Sequence, residues 1–255
     1  MRKLIAMMVL GLFSFTSLAL AEEATSPSGQ IQGLDVAHLP NKRSKSKKKA
    51  RPTRIRVTLS LRRTDGTKPS PTTGVKVHLP KGMILNYRKF PSCRLSKLQA
   101  SGTKGCTRGS KVGRGTLKAD ATPVVSDPVG GTVTAFNGSG RTLLLYVVPE
   151  LSSPLTIVGK LSRAPEGPYE SLLDFNAPLV PTLPGQPNAT LTYFQVTVGA
   201  TLKKKKRVRG KRRTVKTPYI ANATSCIDRS FQWRFDFTYE NGEQLRPTDA
   251  APCAK

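Results

Sequence analysis

The sequence predicts an all-β fold, an antiparallel β-sandwich, for the body of the chain. Strict alternation of apolar and polar residues recurs in several short segments, which is the pattern of half-buried strands. The chain also contains 20 prolines and 21 glycines, which punctuate these segments with turn signals. A helical period is indicated only at one short turn, Arg94–Gln99.

The first 21 residues carry the three features of a secretory signal peptide. Arg2 and Lys3 supply positive charge, the segment from Leu4 to Leu18 is apolar, and Ala19–Ala21 forms an A-x-A cleavage site. The alternative is an uncleaved membrane anchor, but a spanning helix needs about 20 apolar residues and this segment is shorter. We therefore predict a signal peptide at residues 1–21, export of the remaining chain and no transmembrane segment.

Residues 22–52 are predicted to be a disordered basic linker. This region is rich in Ser, Lys, Pro and Gly and ends in "NKRSKSKKKARP" (Asn41 to Pro52). Such a composition buries too little apolar surface to offset the entropy lost on ordering. His38 is therefore expected in a flexible segment, and residues 53–255 are expected to form a single β-sandwich domain with one core.

Five segments of this domain have the strand pattern. "RIRVTLSLR" and "GVKVHL" alternate strictly, "LTIVGKL" repeats the alternation, and "SFQWRFDFTY" places five aromatic residues on one face. "TLLLYVV" (142–148) is apolar on both faces, as expected of a central strand. In the second segment His78 alternates with Val77 and Leu79, so we expect it to face solvent. The inward residues of the first segment are Ile55, Val57, Leu59 and Leu61.

The chain has four cysteines, and an even number in an exported protein indicates disulfide bonds. We predict the pairs Cys93–Cys106 and Cys226–Cys253, because each closes a local loop, although the sequence allows other pairings. A metal site is the alternative. It is disfavoured because there is no C-x-x-C spacing and neither histidine has a ligand-like spacing to the cysteines.

The segment "LKKKKRVRGKRRTVKTPY" (Leu202 to Tyr219) contains ten Lys or Arg between positions 203 and 216. The preceding strand alternates as far as Leu202, and beyond it both faces are charged, so neither face can lie on a core. With a turn at Gly210, this pattern predicts a projecting basic hairpin about 20 Å long. The residues predicted to contact a polyanion are Lys203, Lys204, Lys205, Lys206, Arg207, Arg209, Lys211, Arg212 and Arg213.

The charge of the whole chain supports this interpretation, since 42 basic and 15 acidic residues give a net charge of +27. A charge of this size attracts polyanions at low salt. Aromatic residues are not interleaved with the basic ones, which disfavours base stacking and favours recognition of backbone charge. The expected partners are an anionic wall polymer, an acidic polysaccharide or released DNA. A charged edge that blocks strand addition and a protein partner remain as alternatives, and the oligomeric state is left open.

Motifs of catalysis are absent or weak. The chain has no G-x-S-x-G and no H-E-x-x-H, and "GSKVGRG" (109–115) lacks the ending of a phosphate-binding loop, so its glycines are assigned to turns and close packing. Asp228 and Asp236, or Glu170 and Asp174, are too far apart along a strand to form a hydrolytic pair. We therefore predict no catalytic residue, no metal and no cofactor. The alternative is a secreted carbohydrate-active enzyme whose carboxylates converge from distant parts of the chain.

The cysteine segment "FPSCRLSKLQASGTKGCTRGSKVGRGTLKA" (Phe90 to Ala119) resembles a known pattern. Uncharacterised secreted proteins of high-GC Gram-positive (actinobacterial) soil bacteria show F-P-x-C, a leucine spacer, then C-P-x-G-S-x-V-G-x-G. The resemblance extends to "LPKGMILN", "TYFQVTVGA" and "FQWRF" and so covers most of residues 54–253, with Thr107 where the pattern often has Pro. It implies a secreted β domain with the first two cysteines paired, and it transfers no catalytic residue.

Together these observations predict a secreted non-catalytic binding or structural module of the cell surface or surrounding matrix. Contact with extracellular polyanions through the basic hairpin is the expected mode of binding.

Overall fold

The computed structural model describes residues 22–46, 49–208 and 211–254. The signal peptide predicted at residues 1–21 and Arg209 of the basic hairpin lie outside the described residues. Among the residues that are described, no helix is long and apolar enough to cross a membrane.

The all-β prediction is confirmed, and the paired strands are antiparallel. The helical elements are α1 (Leu95–Ser101), where the sequence indicated a short turn, and three 3-10 turns (Tyr87–Lys89, Gly102–Gly105 and Arg108–Ser110). The strands are β1 (Glu22–Thr25), β2 (Gln30–Leu39), β3 (Pro52–Arg63), β4 (Thr72–Pro80), β5 (Ile84–Leu85), β6 (Lys111–Asp120), β7 (Val129–Asn137), β8 (Thr142–Pro149), β9 (Leu155–Glu166), β10 (Tyr169–Asn176), β11 (Thr190–Val198), β12 (Thr201–Val208), β13 (Lys211–Pro218), β14 (Ile220–Ala221), β15 (Ser230–Tyr239), β16 (Gln244–Leu245) and β17 (Thr248–Pro252).

One sheet of 15 strands makes the body of the protein, and β12 and β13 form a separate two-stranded sheet. The order in the large sheet is β1-β2-β3-β11-β6-β7-β8-β9-β10-β4-β15-β16, with β17 also paired to β15. β17 lies beside β2, where the backbone N–H of Val36 donates to the carboxylate of Asp249. The sheet therefore curls until its two ends meet, and the two layers of the predicted sandwich belong to one continuous sheet.

The aromatic strand β15 fills one side of the interior. Its five inward side chains, from Phe231 to Tyr239, are each no more than 3% exposed. They belong to the same core cluster as Leu34 and Val36 of β2. The hydroxyl of Tyr239 donates to Oε1 of Gln32 at 3.0 Å, which satisfies two buried polar groups at once.

The prediction of a disordered linker at residues 22–52 is wrong. β1 and β2 occupy this region, and β2 pairs with β3 from Gln30 opposite Arg63 to Leu39 opposite Arg54. The sequence pattern failed because the inward positions of β2 include Gln30, Gln32 and His38, whose polar side chains conceal the alternation. Within the described residues the domain therefore begins at Glu22 instead of residue 53.

The chain that follows β2 is held by a buried asparagine. Nδ2 of Asn222 donates to the carbonyl oxygens of Pro40 and Lys42, both at 2.8 Å. The backbone N–H of Ser44 donates to the carbonyl of Ala223 at 2.8 Å. The basic segment from Asn41 therefore packs on the domain, at least as far as residue 46.

Both predicted disulfides, Cys93–Cys106 and Cys226–Cys253, are present. The first one anchors α1 on the outer face of the sheet, where Leu98 packs with Phe136 and Leu144. This packing confirms the prediction that segment 142–148 is apolar on both faces because it is a central strand. Leu144 and Tyr146 face α1, whereas Leu143, Leu145 and Val147 face the interior.

The glycines of "GSKVGRG" have the close-packing role that the sequence indicated. A Cβ atom on Gly115 of β6 would lie 2.0 Å from the carbonyl oxygen of Gln195 on β11. Any side chain at this position would separate the two strands, so the motif serves the packing of the sheet.

Candidate functional sites

The basic hairpin consists of β12 and β13, which pair from Thr201 opposite Pro218 to Val208 opposite Lys211. It is separate from the large sheet, which confirms the prediction of a projecting arm. At its base Leu202 packs against the core of the body. The turn at the tip of the hairpin lies outside the described residues.

The register of the hairpin sorts its basic residues between two faces. Lys203 lies opposite Lys216, and Arg207 lies opposite Arg212, with Lys205 between them. Opposite residues and alternate residues share one face of an antiparallel pair, so these five residues lie on the same face. All five side chains are exposed. We call them the cationic face.

Four of the remaining predicted contact residues occupy the alternate positions of the hairpin, and the fifth, Arg209, lies outside the described residues. Lys204 lies opposite Val215 there, and its side chain is exposed. Lys206 lies opposite Arg213, and Lys211 lies opposite Val208. The nine predicted residues are therefore not one surface, and the structure adds Lys216, which the prediction omitted, to the cationic face. The cross-strand register determines which residues belong to the cationic face. The order of basic residues in the sequence does not reveal this register.

A glycine directs the hairpin away from the body. Gly199 joins β11 to β12 with a φ of +146°, a conformation that side chains rarely adopt. A Cβ atom there would lie 2.7 Å from the carbonyl oxygen of Thr53 and from Cα of Arg54. The chain can therefore leave β11 close to β3 only because this residue has no side chain.

The second candidate site is an apolar cavity of about 400 Å³ inside the curled sheet. Inward residues of many strands line it, including Val57 of β3, Leu143 of β8 and Leu173 of β10. Many of these inward side chains are only half-buried, because they face empty space. Sequence alternation predicts that such residues point inward, but it does not show whether the space is filled.

The volume of the cavity, about 400 Å³, falls within the ~300–1,000 Å³ typical of small-molecule sites.

The charged residue at the cavity wall is Arg141, and no other charged residue is among the described lining residues. Arg141 lies in the turn before β8, is exposed, and has a φ of 63°, which is unusual for a residue other than glycine. Its guanidinium carbon lies 5.8 Å from the ring centre of Tyr87, which also lines the cavity. This residue was not identified from the sequence, because an isolated arginine in a turn resembles any surface charge.

The opposite end of the cavity is surrounded by three loops, which join β6 to β7, β8 to β9 and β10 to β11. Exposed apolar side chains are concentrated there: Val124, Leu151, Leu179 and Leu183 are between 39% and 67% exposed. The first three of them also line the cavity. We call these four residues the apolar rim.

The outer face of β4 carries a network that the sequence did not indicate. The expectation that His78 faces solvent is wrong, since it is 6% exposed and its Nε2 lies 2.9 Å from Oδ2 of Asp236. Arg234 donates to both carboxylate oxygens of Glu166 at 2.8 Å and lies over the ring of Tyr169. Its hydrogen bonds lower the pKa of Glu166. His78 does lie on the outer face of the sheet, as its place in the alternating pattern predicts, but long side chains of neighbouring strands cover it.

Among the described residues, no group of three or more His, Cys, Asp or Glu side chains is arranged to hold a metal ion. Comparison of the chain with protein-family models, with curated proteins and with solved structures finds no match. The resemblance to secreted actinobacterial proteins therefore stays a prediction.

Proposed function

We propose that this protein is a non-catalytic binding module that acts outside the cytoplasm and binds linear polyanions through the cationic face. The observation that carries this proposal is the presence of five exposed basic side chains on one face of an arm that projects from the body. Two disulfides support the location, because such bonds persist in oxidising compartments.

The charge of the arm is not balanced within the arm itself. The sequence from Thr201 to Pro218 contains no Asp or Glu. No ion pair between described side chains includes a hairpin residue. Like charges directly opposite each other destabilise a strand pair, as at Lys203 with Lys216 and at Arg207 with Arg212. Bound anions would relieve this repulsion.

Protection of a sheet edge explains the arm less well. Charged residues on an edge strand prevent pairing with another chain. The hairpin, however, is a sheet of its own, and the large sheet continues through β3, β11 and β6 beside its base. The five charges therefore do not cover an edge of the large sheet.

The geometry favours recognition of a row of charges without sequence specificity. Neighbours along one strand of the cationic face are two residues apart, or about 6.6 Å at ~3.3 Å per residue. Phosphate or sulfate groups along a flexible polymer can adapt to such a row. The binding of each phosphate releases a condensed counterion, so the affinity should fall steeply with salt.

The test is a salt titration of binding to DNA, heparin and an anionic wall polymer. Five neutralised phosphates predict that the affinity for DNA falls roughly 500-fold between 50 and 200 mM salt. The variant in which Lys203, Lys205, Arg207, Arg212 and Lys216 become Gln should lose most of the affinity and of the salt dependence. Preference among the three polymers in the wild type would identify the class of partner.

A matched control removes the same charge elsewhere. In this variant five exposed basic residues near α1 and on β9 become Gln: Lys89, Lys97, Lys104, Arg108 and Arg163. It should keep most of the wild-type affinity and its salt dependence. Equal losses in the two variants would show that net charge alone attracts the polymer, and unchanged binding by the hairpin variant would refute the proposal.

A further inference from the structure

We infer that the apolar cavity binds an amphiphile with one long hydrocarbon chain and an anionic head group, with the head group beside Arg141. This site is chemically distinct from the cationic face and does not depend on it. The cavity, Arg141 at its wall and the apolar rim carry the inference together.

The cavity extends along the whole length of β8, which suits a ligand with an extended chain. Its lining includes both ends of β8, from Thr142 to Pro149. Seven residue steps separate these two positions, which corresponds to about 23 Å at ~3.3 Å per residue. Almost all of the lining between them is aliphatic or aromatic. Each methylene group buried there should improve the affinity roughly fourfold.

The interior is not uniformly open, which argues that the void is a specific feature. On the side of β2 and β15, the aromatic residues from Phe231 to Tyr239 pack closely. On the opposite side, inward residues such as Leu155, Leu173 and Leu191 stay half-buried. The same fold therefore closes its core on one side and leaves it open on the other.

Arg141 gives the cavity a polar end. Its guanidinium group is exposed, so an anionic head group beside it would keep part of its hydration and avoid the penalty of burying a charge.

The other end of the cavity suits the tail of the chain. Val124, Leu151 and Leu179 of the apolar rim line the cavity and are also exposed. A hydrocarbon tail that extends along the cavity from Arg141 would reach these side chains and remove their apolar surface from water. The ligand would therefore lie with its head at the basic end and its tail at the apolar rim.

The first experiment measures binding through Trp233, which is the only tryptophan of the chain and lines the cavity. Palmitate, hexadecyl phosphate and hexadecanol share one hydrocarbon chain and differ in head group. Titration should change the Trp233 emission with all three, and the two anions should bind roughly tenfold more tightly than the alcohol. No binding of any probe would overturn the inference.

Two arginine variants then locate the head group. Arg88 and Arg141 both lie over the ring of Tyr87, at 5.7 and 5.8 Å, but only Arg141 lines the cavity. Arg141→Gln should abolish the preference for anions and leave the binding of hexadecanol unchanged. Arg88→Gln should keep that preference. If both variants keep it, or if the wild type shows none, the head group does not lie at Arg141 and that part of the inference is overturned.

Two phenylalanine variants locate the chain. Val57 is half-buried and faces the cavity, whereas Val148 lies on the outer face and is 37% exposed. Val57→Phe should weaken the binding of all three probes at least tenfold, and Val148→Phe should not. Equal binding by both variants would place the probes outside the cavity and overturn the inference. If Val57→Phe does not fold, Leu143→Phe makes the same test at another half-buried lining residue.

Discussion

Trp233 donates its indole N–H to Nε2 of His38 at 3.0 Å, in the interior between β2 and β15. Because an indole nitrogen can only donate, Nε2 must be the unprotonated nitrogen of the imidazole. The other ring nitrogen, Nδ1, then donates to Oδ1 of Asn222 at 2.7 Å. His38 thus links β2, which the sequence pattern did not predict, to β15, which it predicted most clearly.

This arrangement predicts that His38 lowers the stability in mild acid. Burial lowers the pKa of His38 from 6.5 to about 4, so the unfolded chain binds a proton that the folded protein does not accept. The contribution of His38 to the free energy of unfolding should therefore fall by about 3 kcal/mol as the pH decreases from about 6.5 to 4. Urea titrations of the wild type and of His38→Gln at several pH values, followed by Trp233 fluorescence, measure this contribution as the difference between the two proteins.

The control for this measurement is His38→Gln. Its amide can still accept from Trp233 but does not titrate, so this part of the pH dependence should disappear. If the stability of the variant depends on pH between 6.5 and 4 in the same way as that of the wild type, His38 is not the group responsible.

Asp249 should contribute pH dependence of the opposite sign. Burial is the main cause that raises its pKa to about 6, and Asp35 and Glu22 nearby add to the increase. The folded protein therefore keeps a proton that the unfolded chain loses, and Asp249 destabilises the fold as the pH rises from about 4 to 6. Asp249→Asn should stabilise the protein above pH 6, because its side-chain oxygen can still accept from Val36. Thermal unfolding at pH 8 measures this gain, and a lower melting temperature of the variant would contradict the assignment.

Gly199→Ala should destabilise the protein by more than about 2 kcal/mol, because it combines an unfavourable φ with contacts too close for a Cβ atom. Gly66→Ala is the matched control. It also has a positive φ, of +71°, but open space surrounds the site. It should therefore lose only about 1 kcal/mol. Chemical denaturation of both variants gives the comparison, and similar losses would show that the chain at Gly199 can move away from β3.

Asn137→Ala should destabilise the protein by about 3 kcal/mol. The buried amide of Asn137 donates to the carbonyl oxygens of Tyr87 and Pro91, and its oxygen accepts from the hydroxyl of Tyr219. Its removal leaves several buried polar groups without a partner. Chemical denaturation measures the loss.

The control for this prediction is Asn188→Ala. Asn188 is half-buried and makes a single side-chain contact, to Glu240, so this variant should change the stability by less than about 1 kcal/mol. Equal effects would mean that water replaces the lost contacts of Asn137.

Much of the fold could be predicted from the sequence because most strands bury one apolar face. The alternation in β3, β9 and β15 correctly identifies their inward residues, and the local spacing of the cysteines identifies both disulfides. The prediction fails where tertiary partners satisfy polar side chains. Gln32 and His38 point inward because Tyr239 and Trp233 bind them, and neither partner is near them in sequence.

The two candidate sites differ in how far they could be predicted. The basic hairpin is visible in the sequence because its charges are contiguous, and the structure adds only the register that selects the cationic face. The apolar cavity cannot be predicted from the sequence. Val57 and Leu173 would have the same alternation of apolar and polar neighbours if the core were filled. Only the positions of all the surrounding strands determine whether space remains between them.

The two faces of β8 have an implication for how such a protein can diversify. Leu144 and Tyr146 hold α1 and its disulfide on the outside, while Leu143, Leu145 and Val147 form the cavity wall. Substitutions at Leu143, Leu145 or Val147 can therefore change the volume of the cavity, while Leu144 and Tyr146 still hold α1 in place. Related proteins could therefore differ in cavity volume through substitutions at the inward positions of single strands, while the outward residues of the same strands stay the same.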